Sequence, residues 1–300
     1  MAAAEITNAS PIARARWRDY LELTKPRVVS LMIFTVVVGM LLSSPSQLPW
    51  PAMLFGTLGI TLSAAAGATI NHLVDRRLDA LMARTRGRPL PRGAIDSVPV
   101  ALFAVGLCVA GMTLLLVFTN PLCTLLTFGS LVGYAFVYSL YLKHATPQNI
   151  VIGGAAGAAP PMLGWVAITG QIDAGALLLF LIIFVRTPPH FWALAIHRRD
   201  EYARAGVPML PVTHGVAFTA ARILAYAIAL LPISLLPVAI GMSGALYLAV
   251  ASLLGARFIQ LAWRLRHDVR LAMPTFRFSI AYLCGLFAAL LVDHYVSALI

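Results

Sequence analysis

The chain has 300 residues, 60% of them hydrophobic and 11% charged, with a mean hydropathy of +0.86. A composition this apolar excludes an ordinary soluble domain and points to a chain whose solvent is largely lipid. The net charge of +11 would suggest nucleic acid in a soluble protein, but the basic residues here alternate with apolar runs, so the lipid bilayer is the expected partner and nucleic acid is not.

Residues 1–27 form a basic segment with Arg14, Arg16, Arg18, Lys25 and Arg27 beside Glu5, Asp19 and Glu22, an acidic content that argues against an organellar transit peptide. Apolar runs follow at 28–44, 51–74, 98–118, 122–142, 149–168, 174–196, 217–239, 244–263 and 277–296. Each is close to the roughly 20 residues that a spanning helix needs. The expected fold is an all-α integral membrane protein, with a cytoplasmic segment 1–27 and then a single nine-helix transmembrane domain over 28–300. The first run exceeds the apolar core of a cleaved signal and should stay as an anchor.

The loops sort by charge. The second holds Arg76, Arg77, Arg84, Arg86, Arg88 and Arg92, the fourth Lys143, the sixth Arg198, Arg199 and Arg204, and the eighth Arg264, Arg266 and Arg270. The first, third, fifth and seventh hold no Lys or Arg. This alternation places the N-terminus and the even-numbered loops in the cytoplasm and the C-terminus on the far side. Cys108, Cys123 and Cys284 fall inside apolar runs without metal-like spacing and read as core thiols.

The polar residues gather at the cytoplasmic ends of the even-numbered helices. Asn71, Asp75 and Asp79 recur every four residues and so share one helical face. Two carboxylates at that spacing repel by about 0.2–0.5 kcal/mol, which calls for a cation between them. The bland alternative is a solvated helix end with Asp79 paired to Arg76, but Asp75 has no basic residue three or four positions away except His72. Helix 4 runs out through Tyr138, Tyr141 and Lys143, and helix 6 through His190, His197, Arg198, Asp200 and Glu201. An amide and carboxylates are hard ligands suited to Mg²⁺, and arginines suit the phosphates such an ion would carry. Both signs in one cluster point to a magnesium–diphosphate complex.

Arg186 falls near the middle of helix 6, where a charge costs roughly 2.5–3.5 kcal/mol on insertion scales. Either it meets a substrate carboxylate, or it reaches a polar cavity. His190, one turn on, reads as a general base, a metal ligand or a hydrogen-bonded core histidine. The run "GGAAGAAPP" (153–161) reads as a close helix contact through Gly153 and Gly157, with a transporter-type broken helix as the rival. A transporter would place charges across the midplane, and it leaves the Asn–Asp–Asp spacing unexplained.

Asn71-x-x-x-Asp75-x-x-x-Asp79 resembles the first aspartate motif of the UbiA-type intramembrane prenyltransferases. The stretches "YLELTKPRVVSL" (20–31), "RTRGRPLPRG" (84–93), "LKHATPQNIVIGGAAGAAPPMLGW" (142–165), "TPPHFWALAIHRRDEYARAGVPMLP" (187–211) and "FRFSIAYL" (276–283) resemble its haem-farnesylating branch along nearly the whole chain. The resemblance implies that 28–300 is a prenyltransferase domain in a bacterial inner membrane, with its site toward the cytoplasm. It implies Mg²⁺ as cofactor, farnesyl diphosphate and haem B as substrates, and a haem O product passed to a haem A synthase or a terminal oxidase assembly. Carried over residue by residue, Asn71, Asp75 and Asp79 become metal–diphosphate ligands with Asp200 as a further metal ligand. Lys25, Arg27, Arg86, Arg88, Lys143 and Arg198 become diphosphate or propionate contacts, while Arg186 joins the substrate contacts from its own position in helix 6, as the candidate partner of a substrate carboxylate. Tyr138 and Tyr141 face the allylic cation, and His190 acts as base or haem-iron ligand. Two departures stand out. Arg204 falls where a second aspartate motif would carry another aspartate, and Arg186 stands where that branch would carry an aromatic residue. An aromatic acid such as 4-hydroxybenzoate is the rival acceptor.

Overall fold

The computed structural model describes residues 16–43 and 49–297; Glu5, Arg14 and most of the first loop lie outside them. The helices are α1 (Trp17–Leu23), α2 (Pro26–Ser43), α3 (Trp50–Val74), α4 (Arg76–Leu81), α5 (Ser97–Phe118), α6 (Pro121–Val132), α7 (Lys143–Ala145), α8 (Asn149–Thr169), α9 (Ala174–His197), α10 (Arg199–Arg204), α11 (Leu210–Thr213), α12 (Val216–Ala239), α13 (Ala245–Leu265) and α14 (Ala272–Ser297). A π-helix over Gly133–Leu142 joins α6 to α7, and a short 3₁₀ turn (Val269–Leu271) leads into α14. Among the described residues, nine helices are long and apolar enough to cross a membrane. The protein is an all-helical integral membrane protein.

The ninth span starts well before the expected 277. It runs from Val269 to Val296, because Arg277 points outward while Ala272 and Thr275 are buried, so a charged sequence is still one continuous helix.

Two glycines bring α2 and α8 into backbone contact. A Cβ on Gly39 would lie 2.1 Å from the Pro161 carbonyl oxygen, and one on Gly164 would lie 2.2 Å from that of Val36. The prolines of α8 leave carbonyls without their helical donor, and Ser130 Oγ answers one by donating to the Ala156 carbonyl at 3.3 Å. The large aromatics Tyr247, Phe258, Tyr282 and Phe287 fill the core among α9, α13 and α14. The α2–α3–α8 side is packed instead by small and aliphatic residues, leaving room beside it for a cavity.

Candidate active site

The end of α3 is buried, not solvated. Asn71, Asp75 and Asp79 are each almost wholly inaccessible. The helix breaks at Asp75, whose ψ is 0°, but the Asp79 N–H still donates to the Asp75 carbonyl at 2.7 Å. The chain thus continues into α4 with all three side chains on one side. The loop after α4 folds back over them. Arg88 reaches Asp79 at 2.6 Å, and Arg92 pairs with Asp19 of α1. Leu90 and Ile95 pack on Leu23 and Val100 beneath the loop. Arg76 goes elsewhere, to Ser97 Oγ, so the expected alternative of an Arg76–Asp79 pair is replaced by Arg88–Asp79.

The cation demanded between the two aspartates is supplied from other helices. Lys143 Nζ lies 2.7 Å from Asp75 Oδ2, and Lys25 Nζ donates to Asn71 Oδ1. Lys25 has a φ of +51°, and among the described residues no other non-glycine has a positive φ. That left-handed turn costs about 1–2 kcal/mol and aims the lysine between α1 and α2 into the cluster. Burial first, and then Arg88, push the Lys25 ammonium down to about 8, against the pull of Asp75 and Asp79.

Lys143 reaches the site because of the π-helix, which no sequence signal announced. Its i→i+5 bonding widens the turn, and Ser139 Oγ donates five residues back to the Tyr134 carbonyl at 2.9 Å. Tyr134 in the cavity wall and, at the cluster itself, Ser139 are candidate site residues that were not evident from the sequence. Ser139 Oγ accepts from Asn71 Nδ2 at 3.1 Å, while the other Nδ2 proton goes to Asp75 Oδ2 at 2.9 Å. With the amide nitrogen so held, the Asn71 carbonyl oxygen must face Lys25. The spacing Ser139-x-x-x-Lys143 was the available clue. The same turn presses Tyr138 onto Gly153, where a Cβ would come within 2.2 Å of the ring.

The site accepts a hard cation on its own geometry. Asp75 Oδ2 is shared by Lys143 and Asn71, whereas Asp75 Oδ1 is buried without any partner. Such an orphaned carboxylate oxygen beside an amide oxygen fits Mg²⁺. Among the described residues no group of three or more His, Cys, Asp or Glu could hold an ion unaided. A cation here would draw its other ligands from substrate oxygens and water.

Below the cluster opens a cavity of about 330 Å³, with Lys25 in its wall, and Tyr134, Tyr138, Gly157, Arg186 and His190 among the other lining residues. It reaches Ile60, eleven residues before Asn71 on α3, and so descends about 16 Å into the membrane. Gly157 does not make the helix contact expected of it. A Cβ there would meet nothing within 4 Å, because this face of α8 borders the cavity. Arg186 is buried, with Nε and Nη2 both on the Ser279 carbonyl at 3.0 and 2.7 Å. His190 Nδ1 stands 2.5 Å from Ser279 Oγ, which in turn lies 2.6 Å from the Phe276 carbonyl. Both are hydrogen bonds only when Nδ1 carries the proton, and Nε2 is then an acceptor.

Several expected site residues are not brought in. Tyr141 is 69% exposed, because the π-turn that faces Tyr138 inward turns Tyr141 outward. Arg27 and Arg86 are exposed, and among the described residues their side chains form no ion pair. Asp200 is exposed on α10, turned away by the break at Arg198 that ends α9, so it does not join the metal cluster. Arg198 is half-buried, pairs with Glu201 at 3.3 Å, and keeps a buried Nε without a partner.

A family model described as the UbiA prenyltransferase family matches residues 32–291. The chain is 62% identical over 285 residues to a protoheme IX farnesyltransferase of Azotobacter vinelandii (strain DJ / ATCC BAA-1303), covering 94% of this chain and 95% of that one. It is 57% identical to the protoheme IX farnesyltransferase of Marinobacter nauticus (strain ATCC 700491 / DSM 11845 / VT8), over 99% of each. Among solved structures, a digeranylgeranylglyceryl phosphate synthase superposes with a TM-score of 0.78 at 21% identity, over 92% of this chain and 98% of that one. A UbiA homolog from Archaeoglobus fulgidus, bound to DMAPP and Mg²⁺, does so with 0.62 at 17% identity, over 91% and 99%. These two likenesses carry the fold.

Proposed function

The chain belongs to the UbiA prenyltransferase family, and from that premise we propose that it transfers the farnesyl group of farnesyl diphosphate to a vinyl group of haem B, with addition of water, giving haem O. One observation carries the diphosphate half of this reading. A buried amide and two carboxylates, one oxygen of which is orphaned, meet three cations at the mouth of an apolar cavity. A substrate that is half lipid and half diphosphate fits such a boundary. The acceptor half rests on the relatives and their extent of identity.

Asn71 Oδ1, Asp75 and Asp79 would hold Mg²⁺, which supplies Lewis-acid neutralisation of the departing diphosphate. The rest falls to the chain. Lys25, Arg88 and Lys143 bind the diphosphate oxygens, Arg88 and Lys143 exchanging their present carboxylate partners and Lys25 its amide oxygen for phosphate, and stabilise the charge that develops as the allylic C–O bond breaks. Tyr134 and Tyr138, stacked with centroids 5.8 Å apart, give the allylic cation a ring face. The apolar walls order the prenyl chain and keep bulk water from the cation until the vinyl carbon has attacked it. Water then adds to the cation formed on the porphyrin side, leaving the hydroxyethylfarnesyl group.

The location belongs to the same reading. The basic loop over the site, with Arg84, Arg86, Arg88 and Arg92, supports a site that faces the cytoplasm of a bacterial inner membrane, with residues 1–27 as a cytoplasmic segment before a single nine-helix domain. A haem A synthase or a terminal oxidase assembly would receive the product. Membranes holding the protein, haem B and farnesyl diphosphate test the whole proposal with Mg²⁺ or EDTA. A haem gaining one farnesyl and one hydroxyl group by mass, lost in EDTA, is expected. Alkylation of 4-hydroxybenzoate in place of haem would refute the acceptor and leave the metal site standing.

A further inference from the structure

Arg186 sits at the thirteenth residue of the 24-residue α9, so its guanidinium lies near the middle of the membrane. Its depth is about 16 Å from the His197 end. Among the described residues it forms no ion pair. Every group it touches is neutral: the Ser279 carbonyl and hydroxyl, and His190 Nδ1 at 3.3 Å. A staple between α9 and α14 needs no charge, since an amide or indole N–H would make the same bond to the carbonyl at a lower desolvation cost.

The geometry of the clamp says where the charge is directed. Nε and Nη2 fork on one carbonyl oxygen, which fixes the plane of the guanidinium. Among the described residues Nη1 finds no hydrogen-bond partner, and Arg186 lines the cavity. His190 lines it as well and is held in place, its ring stacked on Phe276 at 4.5 Å and 22°. A rigid, desolvated cation with two free N–H groups beside a cavity is a receptor for a carboxylate.

We propose that Arg186, clamped by Ser279, is a second anion subsite inside the cavity, and that it takes a carboxylate of the prenyl acceptor. The inference rests on the prenyl-transfer reading above and adds to it how the acceptor is oriented. Two anions of different kinds are then kept apart along one cavity. The diphosphate stays at the Lys25 end, and the acceptor carboxylate lies deeper, on the α9 wall. The nucleophilic carbon of the acceptor is pointed back toward the diphosphate end.

The test uses the full chain in nanodiscs, in EDTA and without farnesyl diphosphate, so that binding is read apart from turnover. Haem B and its dimethyl ester are titrated by absorbance, and 4-hydroxybenzoate and its methyl ester by calorimetry. Wild type should bind haem B at least about tenfold more tightly than the ester, as expected for a charge-assisted pair. Arg186→Met should abolish that preference by weakening haem B to the level of the ester. Equal affinity of wild type for acid and ester would overturn the subsite with no variant needed, and so would an undiminished preference in Arg186→Met. If haem B fails to bind but 4-hydroxybenzoate binds with an Arg186-dependent preference over its ester, the subsite stands and the haem reading falls.

Discussion

Replacing Asp75 by Asn removes one negative charge and almost no volume, and the structure lets its two consequences be separated. Asp75 Oδ2 holds Lys143 Nζ at 2.7 Å, with the two side chains only 5% and 12% exposed. Removing one partner of a buried pair costs about 3–5 kcal/mol because the other charge is left behind, and the opening at Lys143 places this case near about 3. For a chain of this size that lowers the melting temperature by about 6–12 °C. Turnover should fall by about 10²–10³, the loss expected when one electrostatic contact to a leaving group is removed. Adding Lys143→Met removes the stranded cation, so the double variant should regain most of the stability and none of the activity. Thermal unfolding in nanodiscs and mass-resolved haem O formation read the two effects. An Asp75→Asn protein that keeps more than a tenth of wild-type turnover, or a double variant whose activity returns with its stability, would refute the assignment of Asp75 to the reaction.

Ser139→Ala frees the Asn71 amide to rotate, and apparent Mg²⁺ affinity should weaken about 10–100-fold, as for other outer contacts of metal ligands, with haem B binding in EDTA unchanged. Lys25 gives a stability signature with a definite sign. Its value in the folded chain, about 8, lies below the ordinary 10.5, so between these values the unfolded state binds more protons and stability rises with pH. In EDTA, wild type should therefore gain on Lys25→Met as pH climbs from 8 towards 10, and two parallel melting-temperature curves would contradict this. Gly39→Ala and Gly164→Ala each drive a methyl into a facing backbone carbonyl and should cost about 1–3 kcal/mol or more. Gly157→Ala, with open space in front of it, should melt like wild type.

Much of this protein is decided by hydropathy alone, because lipid admits only helices and each must be about 20 apolar residues long. The nine spans were legible for that reason, and so was the clustering of Asn71, Asp75 and Asp79, which depends only on helical period. Boundaries failed where the rule has an exception: the ninth span begins at Val269, since an exposed arginine does not interrupt a helix whose opposite face is buried. Partners across the bundle were not legible, because contacts between residues 25 and 71, 71 and 139, or 75 and 143 have no periodicity to betray them. The π-helix shifts the register of the residues after Gly133, which put Tyr141 on the lipid side and Lys143 on Asp75. Arg186 shows both halves at once. Its sequence position announced a charge in the membrane, and only the packing of α9 on α14 revealed that everything touching it is neutral and that its free edge belongs to the cavity.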